Sequence, residues 1–577
     1  MKPNGDKDPI SLETLREIAD QHSFCMRPED EEGYLAVLHA TQESVAIVDA
    51  LPDYIDPELL PAPGPGETAS PRTYVRPPKA DNPLNAWMFK TNIQASGATG
   101  PLSGRTVAIK DNVSVAGVPT TCGTQPGHLT SALATASPYP IPSLDAPIVS
   151  RILAAGAMVP GTSTCENYCT SAMSCTSATG PVENPWLKGY SAGGSSGGSA
   201  ALIAVNIVRR WRQARGLPEL DLGEGVDMAV GGDQGGSIRV PASYCGIYGL
   251  KPTHGLVPYT GIAGLLPMID HTGPMAASVR DTALLLSVVA GYDNFDPRMG
   301  PQTPLRPDVP QYHELLDAEV ASRKGAGTWN ATSAARGLRI GILKEAFEAP
   351  GMDASVAAVV RKAASRFRDL GAASVDEISI PQHSLAPHIF TAATRTYMAD
   401  AALRQVLPTT LSFPFPGGAP RQLDQAWYET MTQSNPLVPA LLLTSKALRN
   451  PAVYSEAVRH KAIRHVHGLR AAYDRVLEDY DVLVMPTTPT VGLPHAADDM
   501  SVAEKCDFLL SNTVNTLPFN ITGHPGLNVP VGWGKARDSN DMLPIGMQFV
   551  ARRFNEQKLF LAAAAWEVGG LGLDEEL

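Results

Sequence analysis

The most informative run of this chain is Gly231-Gly232-Asp233-Gln234-Gly235-Gly236-Ser237-Ile238-Arg239, and the apolar residues Val226, Met228, Ala229 and Val230 lead into it. Glycines packed around one serine let the backbone approach a ligand closely and turn its N–H groups toward it. A serine in this setting can attack a carbonyl carbon, and the amides can hold the oxyanion that develops. The run itself contains no base for the serine proton, and the nearest histidine, His254, lies well downstream.

Two upstream segments supply the missing partners. One is a second glycine–serine run, Gly193-Gly194-Ser195-Ser196-Gly197-Gly198-Ser199, and the other is the β-branched segment 106–112, a short strand that ends at Lys110. Apolar residues before Lys110 would bury its amine, and burial favours the neutral form of an amine. A neutral Lys110 could take the proton of Ser195 while Ser195 takes that of Ser237, a relay that fills the role of histidine.

These motifs resemble those of the amidase signature family. The matching segments are Lys110, residues 193–198, residues 231–239, residues 244–253 and Asn184-Pro185-Trp186, and the likeness covers residues 82 to 560. Within the family the chain is most similar to broad-substrate amidases of the nitrile-hydratase-associated type. The resemblance implies an α/β amidase signature fold, with a large mixed β-sheet covered by helices on both faces. It also implies an amide hydrolase that forms an acyl-enzyme on a small-molecule amide without cofactor or metal, with ester or carbamate side activity.

The resemblance also assigns roles to individual residues. Ser237 falls on the nucleophile, Ser195 on a bridging serine that follows a cis peptide bond, and Lys110 on the base. The oxyanion and substrate-binding positions are Gln234, Gly235, Gly236 and Cys169, the last through its backbone carbonyl. Three residues are expected to support the site structurally: Asp233, Arg239 and Ser196. Asp233 would orient the Ser237 loop as a hydrogen-bond acceptor, and Arg239 would pair with a carboxylate.

Composition and charge exclude several classes of protein. The chain has 577 residues and a net charge of -12, which argues against a surface that coats nucleic acid. Residues 1–6 show no apolar signal-peptide segment, and no apolar run reaches the roughly 18–20 residues that span a bilayer. We therefore expect a cytoplasmic protein without a nucleic-acid or membrane partner.

The seven cysteines are an odd number, which argues against a full disulfide framework. The cluster Cys165, Cys169 and Cys175 lacks the spacing of a zinc site.

The hydrophobic pattern predicts three segments. Residues 1–60 form a small helical region, residues 61–83 a proline-rich linker, and residues 84–577 the catalytic domain with alternating strands and helices. Within that domain Asp145 is expected to cap a helix over residues 148–153. The gap between Ser195 and Ser237 is longer than is common in the family. The extra stretch around residues 208–221 is expected to lengthen a helix and add a surface loop, whose basic residues face solvent or a second subunit.

Other interpretations of the same motifs stay open. Residues 193–197 also match the G-x-S-x-G elbow of α/β hydrolases, which requires a buried strand directly before it. A flexible glycine–serine linker is the plainer alternative. The sequence is expected to encode a free-standing amidase, either monomeric or homodimeric. The alternative function is that of an amidotransferase-type subunit, which needs partner chains and a surface for tRNA. The pocket walls are expected in residues 408–422 and 433–450, where no motif names the substrate.

Overall fold

The chain divides into two compact units, Met1–Glu58 and Leu59–Leu577. The structure, a computed structural model, describes residues 9–23, 25–52, 56–61, 72–130, 137–404 and 423–568. Residues 62–71 of the expected linker and the expected pocket loop 408–422 lie outside the described residues. The division into segments 1–60, 61–83 and 84–577 stays a prediction.

The first unit contains two helices, α1 (Leu12–Gln21) and α2 (Pro28–Asp49). The Ser11 hydroxyl caps α1 by accepting a hydrogen bond from the Thr14 amide, which satisfies one of the free N–H groups of the first turn. Helix α2 carries no buried residue, and several of its large apolar side chains are exposed: Tyr34, Val37, Val45, Ile47 and Val48.

The second unit is built on a single sheet. Its strands are β1 (Tyr74–Val75), β2 (Trp87–Gln94), β3 (Val107–Lys110), β4 (Met158–Ser163), β5 (Met228–Asp233), β6 (Tyr248–Lys251), β7 (His271–Ala276), β8 (Arg339–Leu343), β9 (Ser374–Ile378), β10 (Val482–Pro486), β11 (Gly526–Lys535) and β12 (Met542–Val550). Its helices are α3 (Pro147–Ala154), α4 (Gly197–Ala214), α5 (Arg239–Cys245), α6 (Val279–Val289), α7 (Tyr312–Gly325), α8 (Lys344–Phe347), α9 (Ala354–Ser365), α10 (Ala386–Arg404), α11 (Gln425–Ser434), α12 (Leu437–Leu448), α13 (Glu456–Asp479), α14 (Val502–Leu510), α15 (Pro518–Thr522) and α16 (Glu556–Glu567).

The strand order is β1-β2-β4-β3-β5-β7-β6-β11-β12-β10-β8-β9. Strand β3 pairs in parallel with β4 and β5, and β8 pairs in parallel with β9 and β10, whereas the other neighbours are antiparallel. The predicted large mixed sheet is therefore confirmed. Because β3 and β5 are parallel neighbours, with Ile109 opposite Val230, their carboxyl ends lie at the same edge of the sheet. Lys110 and the glycine run thus emerge side by side.

Helices cover both faces of the sheet around β3 and β5. Ala108 and Ala229 pack in one apolar cluster with α4. Their neighbours Ile109 and Val230 pack in another cluster with α3 and α6. Successive residues of a strand point to opposite faces, so these two clusters lie on opposite sides of the sheet. This agrees with the α/β architecture expected from the sequence.

The expectation that Asp145 caps a helix is wrong. The residue before α3 is Ala146, which makes no side-chain cap. The Asp145 carboxylate instead accepts hydrogen bonds from Arg72 Nη1 at 2.7 Å and from the Ala116 amide at 2.8 Å. A buried carboxylate is stabilised more by a cation and an amide than by the end of a short helix, so the ion pair determines its orientation.

Helix α4 extends through the predicted insertion as far as Ala214 and is followed by a loop that returns to β5. The loop is held to the helix by hydrogen bonds from basic side chains, with Arg209 Nη2 donating to the Gly223 carbonyl at 2.6 Å and Arg212 Nε to the Pro218 carbonyl at 2.7 Å. None of the helices in the described ranges is long and apolar enough to cross a membrane.

Candidate active site

Lys110, Ser195 and Ser237 come from three different elements that meet at one edge of the sheet. Lys110 is the last residue of β3, Ser195 lies in the loop just before α4, and Ser237 lies in the turn between β5 and α5. The peptide bond between Gly194 and Ser195 is cis. Lys110 and Ser195 are fully buried, whereas 9% of the Ser237 surface is exposed. Of the three, Ser237 is therefore the residue that a ligand can reach.

Hydrogen bonds connect the lysine to the first serine run. Lys110 Nζ donates to Ser195 Oγ at 2.8 Å and lies 3.4 Å from the carbonyl oxygen of Gly232. The hydrogen bonds of the described residues include none between the Ser195 and Ser237 hydroxyl groups. The two serine runs are joined instead through Ser196, whose amide donates to the Ser237 carbonyl at 3.2 Å and whose hydroxyl donates to the Gly232 carbonyl at 3.1 Å.

The loop that carries Ser237 is fixed by a buried ion pair. Arg239 Nε and Nη2 donate to the two carboxylate oxygens of Asp233 at 3.0 and 2.9 Å, and neither side chain is exposed. The Asp233 carboxylate also accepts from the Ile238 amide at 3.1 Å, which closes the loop across Ser237. Burial alone raises the pKa of Asp233, but the Arg239 guanidinium outweighs it and holds that pKa at about 2. Contacts of this kind are what a supporting role of Asp233 and Arg239 requires, and the role itself stays a prediction.

The backbone amides around Ser237 are available to a ligand. Among the described residues, no hydrogen bond has the amide of Gln234, Gly235, Gly236 or Ser237 as its donor. Gly236 has a φ of 147°, and a Cβ at that position would collide with Thr516 Oγ1, so only glycine fits there. Adjacent free amides beside a hydroxyl have the composition of an oxyanion-binding site. The Gln234 side chain points elsewhere, since its Nε2 donates to the Tyr259 hydroxyl at 2.7 Å.

Cys169 lies in a cluster of buried thiols next to this site. Its Sγ is 3.8 Å from Cys165 Sγ, and its φ of 55° places its backbone in the left-handed region. Hydrogen bonds from the Cys122 and Cys165 thiols hold the pKa of Cys169 well below its usual range. Within the described residues, no group of three or more His, Cys, Asp or Glu side chains could hold a metal ion.

Two carboxyl groups beside the lysine carry no signal in the sequence. Asp111 and Glu166 are buried, and burial raises the pKa of each to about 7. Asp111 accepts hydrogen bonds from the Thr121 amide at 3.2 Å and from the Thr121 hydroxyl, while Glu166 accepts from the Thr176 amide at 2.8 Å. The Lys110 amine offsets part of the rise in the pKa of Glu166, an interaction that only the three-dimensional arrangement reveals.

A cavity of about 570 Å³ opens beside Ser237. Its lining includes Cys169, Gln234 and Gly235 together with the apolar side chains of Phe390 and Leu517. In the described part of the chain, no residue of 433–450 lines this cavity, so that expectation is wrong. The reason is packing: α12 places its apolar residues against α10 in a shared core cluster, which leaves α10 to form the cavity wall.

The two alternative interpretations of residues 193–199 do not fit the structure. No strand among the described residues leads into residue 193, because β4 ends at Ser163 and the residues up to α4 form loops and short turns. The nucleophile elbow therefore lacks its required strand. The run is also fully buried from Gly193 to Ser199, which excludes a flexible linker.

Comparison with known proteins places this geometry in a family. The family model named Amidase matches residues 80–210 and 223–560, and the unmatched residues between them coincide with the insertion after α4. The chain is 36% identical to an enantioselective amidase of Rhodococcus rhodochrous, over 86% of this chain and 85% of that protein. It is 33% identical to a glutamyl-tRNA(Gln) amidotransferase subunit of Roseiflexus sp., over 82% and 84% of the two chains. The solved structure of a bacterial aryl acylamidase superposes with a TM-score of 0.61 at 23% identity, over 82% and 83% of the chains, which shows the same fold.

The chain therefore belongs to the amidase family, as the resemblance of its motifs predicts. It is a hydrolase that acts on amide bonds.

Proposed function

We propose that this protein is a free-standing amidase in which Lys110, Ser195 and Ser237 form a proton relay. Ser237 Oγ attacks the amide carbonyl carbon and passes its proton to Ser195, which passes its own to a neutral Lys110. The amides of Gln234 to Ser237 hold the oxyanion of the tetrahedral intermediate. The proton returns through Ser195 to the departing nitrogen, which leaves as ammonia or an amine. Water then attacks the acyl-enzyme by the same relay and releases the carboxylic acid.

The observation that carries this proposal is the contact between Lys110 Nζ and Ser195 Oγ at 2.8 Å. Both residues are fully buried, whereas Ser237 is partly exposed and can be reached by a ligand. A buried amine held against a hydroxyl is placed to exchange a proton with that hydroxyl. The mechanism requires the Ser237 hydroxyl to bond Ser195 when substrate fills the cavity. Catalytic hydrogen bonds commonly tighten only in the complex with substrate.

Covalent trapping tests the assignment of the nucleophile. When a serine oxygen attacks the phosphorus of a fluorophosphonate, fluoride leaves and the phosphoryl oxygen occupies the oxyanion position, so the free amides should direct the reagent to Ser237. Peptide mapping by mass spectrometry is expected to find the adduct on Ser237 in the wild type and none in Ser237→Ala. The Ser195→Ala variant should be labelled at the same residue but more slowly, because the proton bridge is missing. A label on Ser195 or Ser196 would reverse the roles of the two serine runs.

An amidotransferase-type subunit is the second candidate, because relatives such as that of Roseiflexus sp. bear that name. The more similar relative is an amidase, which favours the free-standing enzyme.

We further propose a homodimer, with a small-molecule amide as substrate. Exposed apolar side chains on one helix are typical of a surface that another chain covers, and Val37, Ile47 and Val48 of α2 form such a group.

A further inference from the structure

Arg395 is a partly buried cation, and the hydrogen bonds of the described residues give it no oxygen acceptor. It lies on α10 and lines the cavity that also contains Ser237. Its Nη1 is 3.7 Å from the Met398 sulfur, which is only a weak acceptor. Burial lowers the pKa of Arg395, and part of its surface stays accessible within this wall.

Three other arginines that are shielded from solvent have oxygen acceptors. Arg239 binds Asp233, and Arg298 lies 2.7 Å from an Asp296 oxygen. Arg151 donates to carbonyl groups at the end of α6, the shortest of these bonds being 2.7 Å to Val289. A charge removed from water without a counter-charge is unfavourable by several kcal/mol per ion, so proteins seldom keep one in a wall without a use. Arg395 therefore indicates a ligand that brings the missing negative charge.

Two acidic side chains in the described ranges line the same cavity, and one of them, Glu345, already has hydrogen-bond donors. Glu345 accepts from the Ile380 amide at 3.0 Å and from the Ser379 hydroxyl. Glu348 lies 3.8 Å from Lys344 Nζ. Among the described lining residues, Arg395 is thus a cation whose printed contact is a sulfur and not an oxygen, and it faces the same cavity as Ser237.

We propose that Arg395 binds a carboxylate of the substrate, so that the enzyme acts preferentially on monoamides of dicarboxylic acids. The guanidinium fork matches a carboxylate in geometry and can donate two parallel hydrogen bonds to it. The amide carbonyl of the same molecule lies at Ser237, and apolar residues such as Leu265 and Phe390 contact the methylene chain between the two ends. This inference rests on the proposed amidase function, and hydrolysis then yields the dicarboxylate and ammonia.

The test compares pairs of substrates of equal length. The monoamides of succinic, glutaric, adipic and pimelic acid are each matched with the unbranched amide that carries a methyl group in place of the carboxylate. In the wild type, kcat/KM for the best-fitting acid amide is expected to exceed that of its neutral partner by about tenfold or more. In Arg395→Met that ratio should collapse toward one. The control Arg361→Met removes an exposed arginine of α9 that pairs with Glu377, and it should keep the wild-type ratio.

A second measurement does not depend on turnover. Glutarate, adipate or pimelate should raise the melting temperature of the wild type more than the monocarboxylate of equal length does, and this difference should vanish in Arg395→Met. A wild type that hydrolyses neutral amides as well as their acid partners overturns the carboxylate subsite and leaves the amidase proposal intact. A wild type that hydrolyses no amide, yet binds dicarboxylates through Arg395, overturns the amidase proposal and leaves the subsite. The comparison of acid and neutral amides in the wild type tests the carboxylate subsite even if Arg395→Met fails to fold.

Discussion

Lys110 is the residue on which the proposed chemistry depends most directly. It ends β3, is fully buried, and contacts Ser195 at hydrogen-bonding distance. A lysine amine can be both donor and, once deprotonated, acceptor, whereas a guanidinium cannot give up its proton in a protein.

Replacing this lysine should therefore remove catalysis whether or not the positive charge is kept. We expect Lys110→Met and Lys110→Arg each to lower kcat roughly a thousandfold, the size typical of a lost general base. Ammonia release under saturating substrate gives the rate. Lys251 is another fully buried lysine, bonded to the Pro252 and His524 carbonyls, and Lys251→Met should keep turnover per folded molecule. Substantial activity in Lys110→Arg would contradict a lysine base.

Arg239 combines contacts from distant parts of the chain. Besides Asp233 it donates to the Thr516 carbonyl at 2.8 Å, to Gln548 Oε1 at 2.7 Å and to Asn520 Oδ1 at 2.8 Å. Its removal leaves a buried carboxylate and several acceptors without a donor. Breaking a buried pair from one side is far more costly than replacing both partners.

We expect Arg239→Met to lower the free energy of unfolding by about 3–5 kcal/mol. Without the guanidinium, burial raises the pKa of Asp233 instead of leaving it at about 2. A raised folded-state pKa favours the folded protein at low pH and disfavours it as pH rises. The deficit relative to the wild type should therefore shrink as the pH is lowered toward about 4, the ordinary range of an aspartate, as long as both proteins remain folded. Urea titrations at several pH values measure this, and a deficit that grows in acid would contradict it.

The arrangement of the candidate site, with Lys110 beside Ser195, could be predicted from sequence because its parts are local motifs. The runs at 193–199 and 231–239 and the strand ending at Lys110 each carry their own signal in a few consecutive residues. The partners of Arg239 could not be predicted, since Asn520 and Gln548 lie in unremarkable elements that only tertiary packing brings near. Arg395 is equally silent in sequence, because an arginine on a helix is usually solvated. The local sequence pattern predicts that Asp145 caps the helix that follows it. In the structure the Asp145 carboxylate binds Arg72 instead, which is distant in sequence.

Helix α4 shows how an insertion can be accommodated without disturbing a site. Its first turn belongs to the serine run, and its last turns place Trp211 against two other tryptophans. The ring centroids of Trp211 lie 5.5 Å from Trp186 and 5.6 Å from Trp533, and Trp186 and Trp533 are 4.9 Å apart. The cluster Trp186–Trp211–Trp533 thus anchors the extended end of α4 to β11.

Removing the Trp211 ring should weaken the attachment of the carboxyl-terminal end of α4 to β11 and leave the rate of amide hydrolysis unchanged. We expect Trp211→Ala to lower the free energy of unfolding by about 1–3 kcal/mol, from lost apolar burial and edge-to-face contacts. Trp211→Phe should recover part of the loss. Thermal melts give the stability and ammonia release gives the rate. A large fall in kcat at full folding would show that the insertion reaches the site.

The sheet as a whole makes the second unit one structure. Strands β11 and β12, near the carboxyl end of the chain, lie between β6 and β10 and so join its two halves. The edge that carries Lys110 and Ser237 belongs to the half built by β3 and β5, while Asn520 and Gln548 reach it from the later part.

We expect the chain alone to release ammonia from simple amides at a rate that added amidotransferase partner chains do not raise. Size-exclusion chromatography with light scattering should show the active species to be a homodimer. Replacing Val37, Ile47 and Val48 of α2 by serine should shift that species toward the monomer. Activity that appears only when other chains are added would favour the amidotransferase-type subunit instead.

The placement of β11 between β6 and β12 also has a consequence for biosynthesis. β6 is complete at residue 251, but the strand that covers its free edge begins at residue 526. At roughly 5–20 residues per second, a ribosome needs on the order of tens of seconds to cover that interval. During this time the nascent chain presents an open strand edge, which is a template for pairing with a neighbouring polypeptide. Slower initiation, lower temperature or more chaperone should therefore raise the soluble yield of this enzyme more than substitutions near Ser195 and Ser237 do.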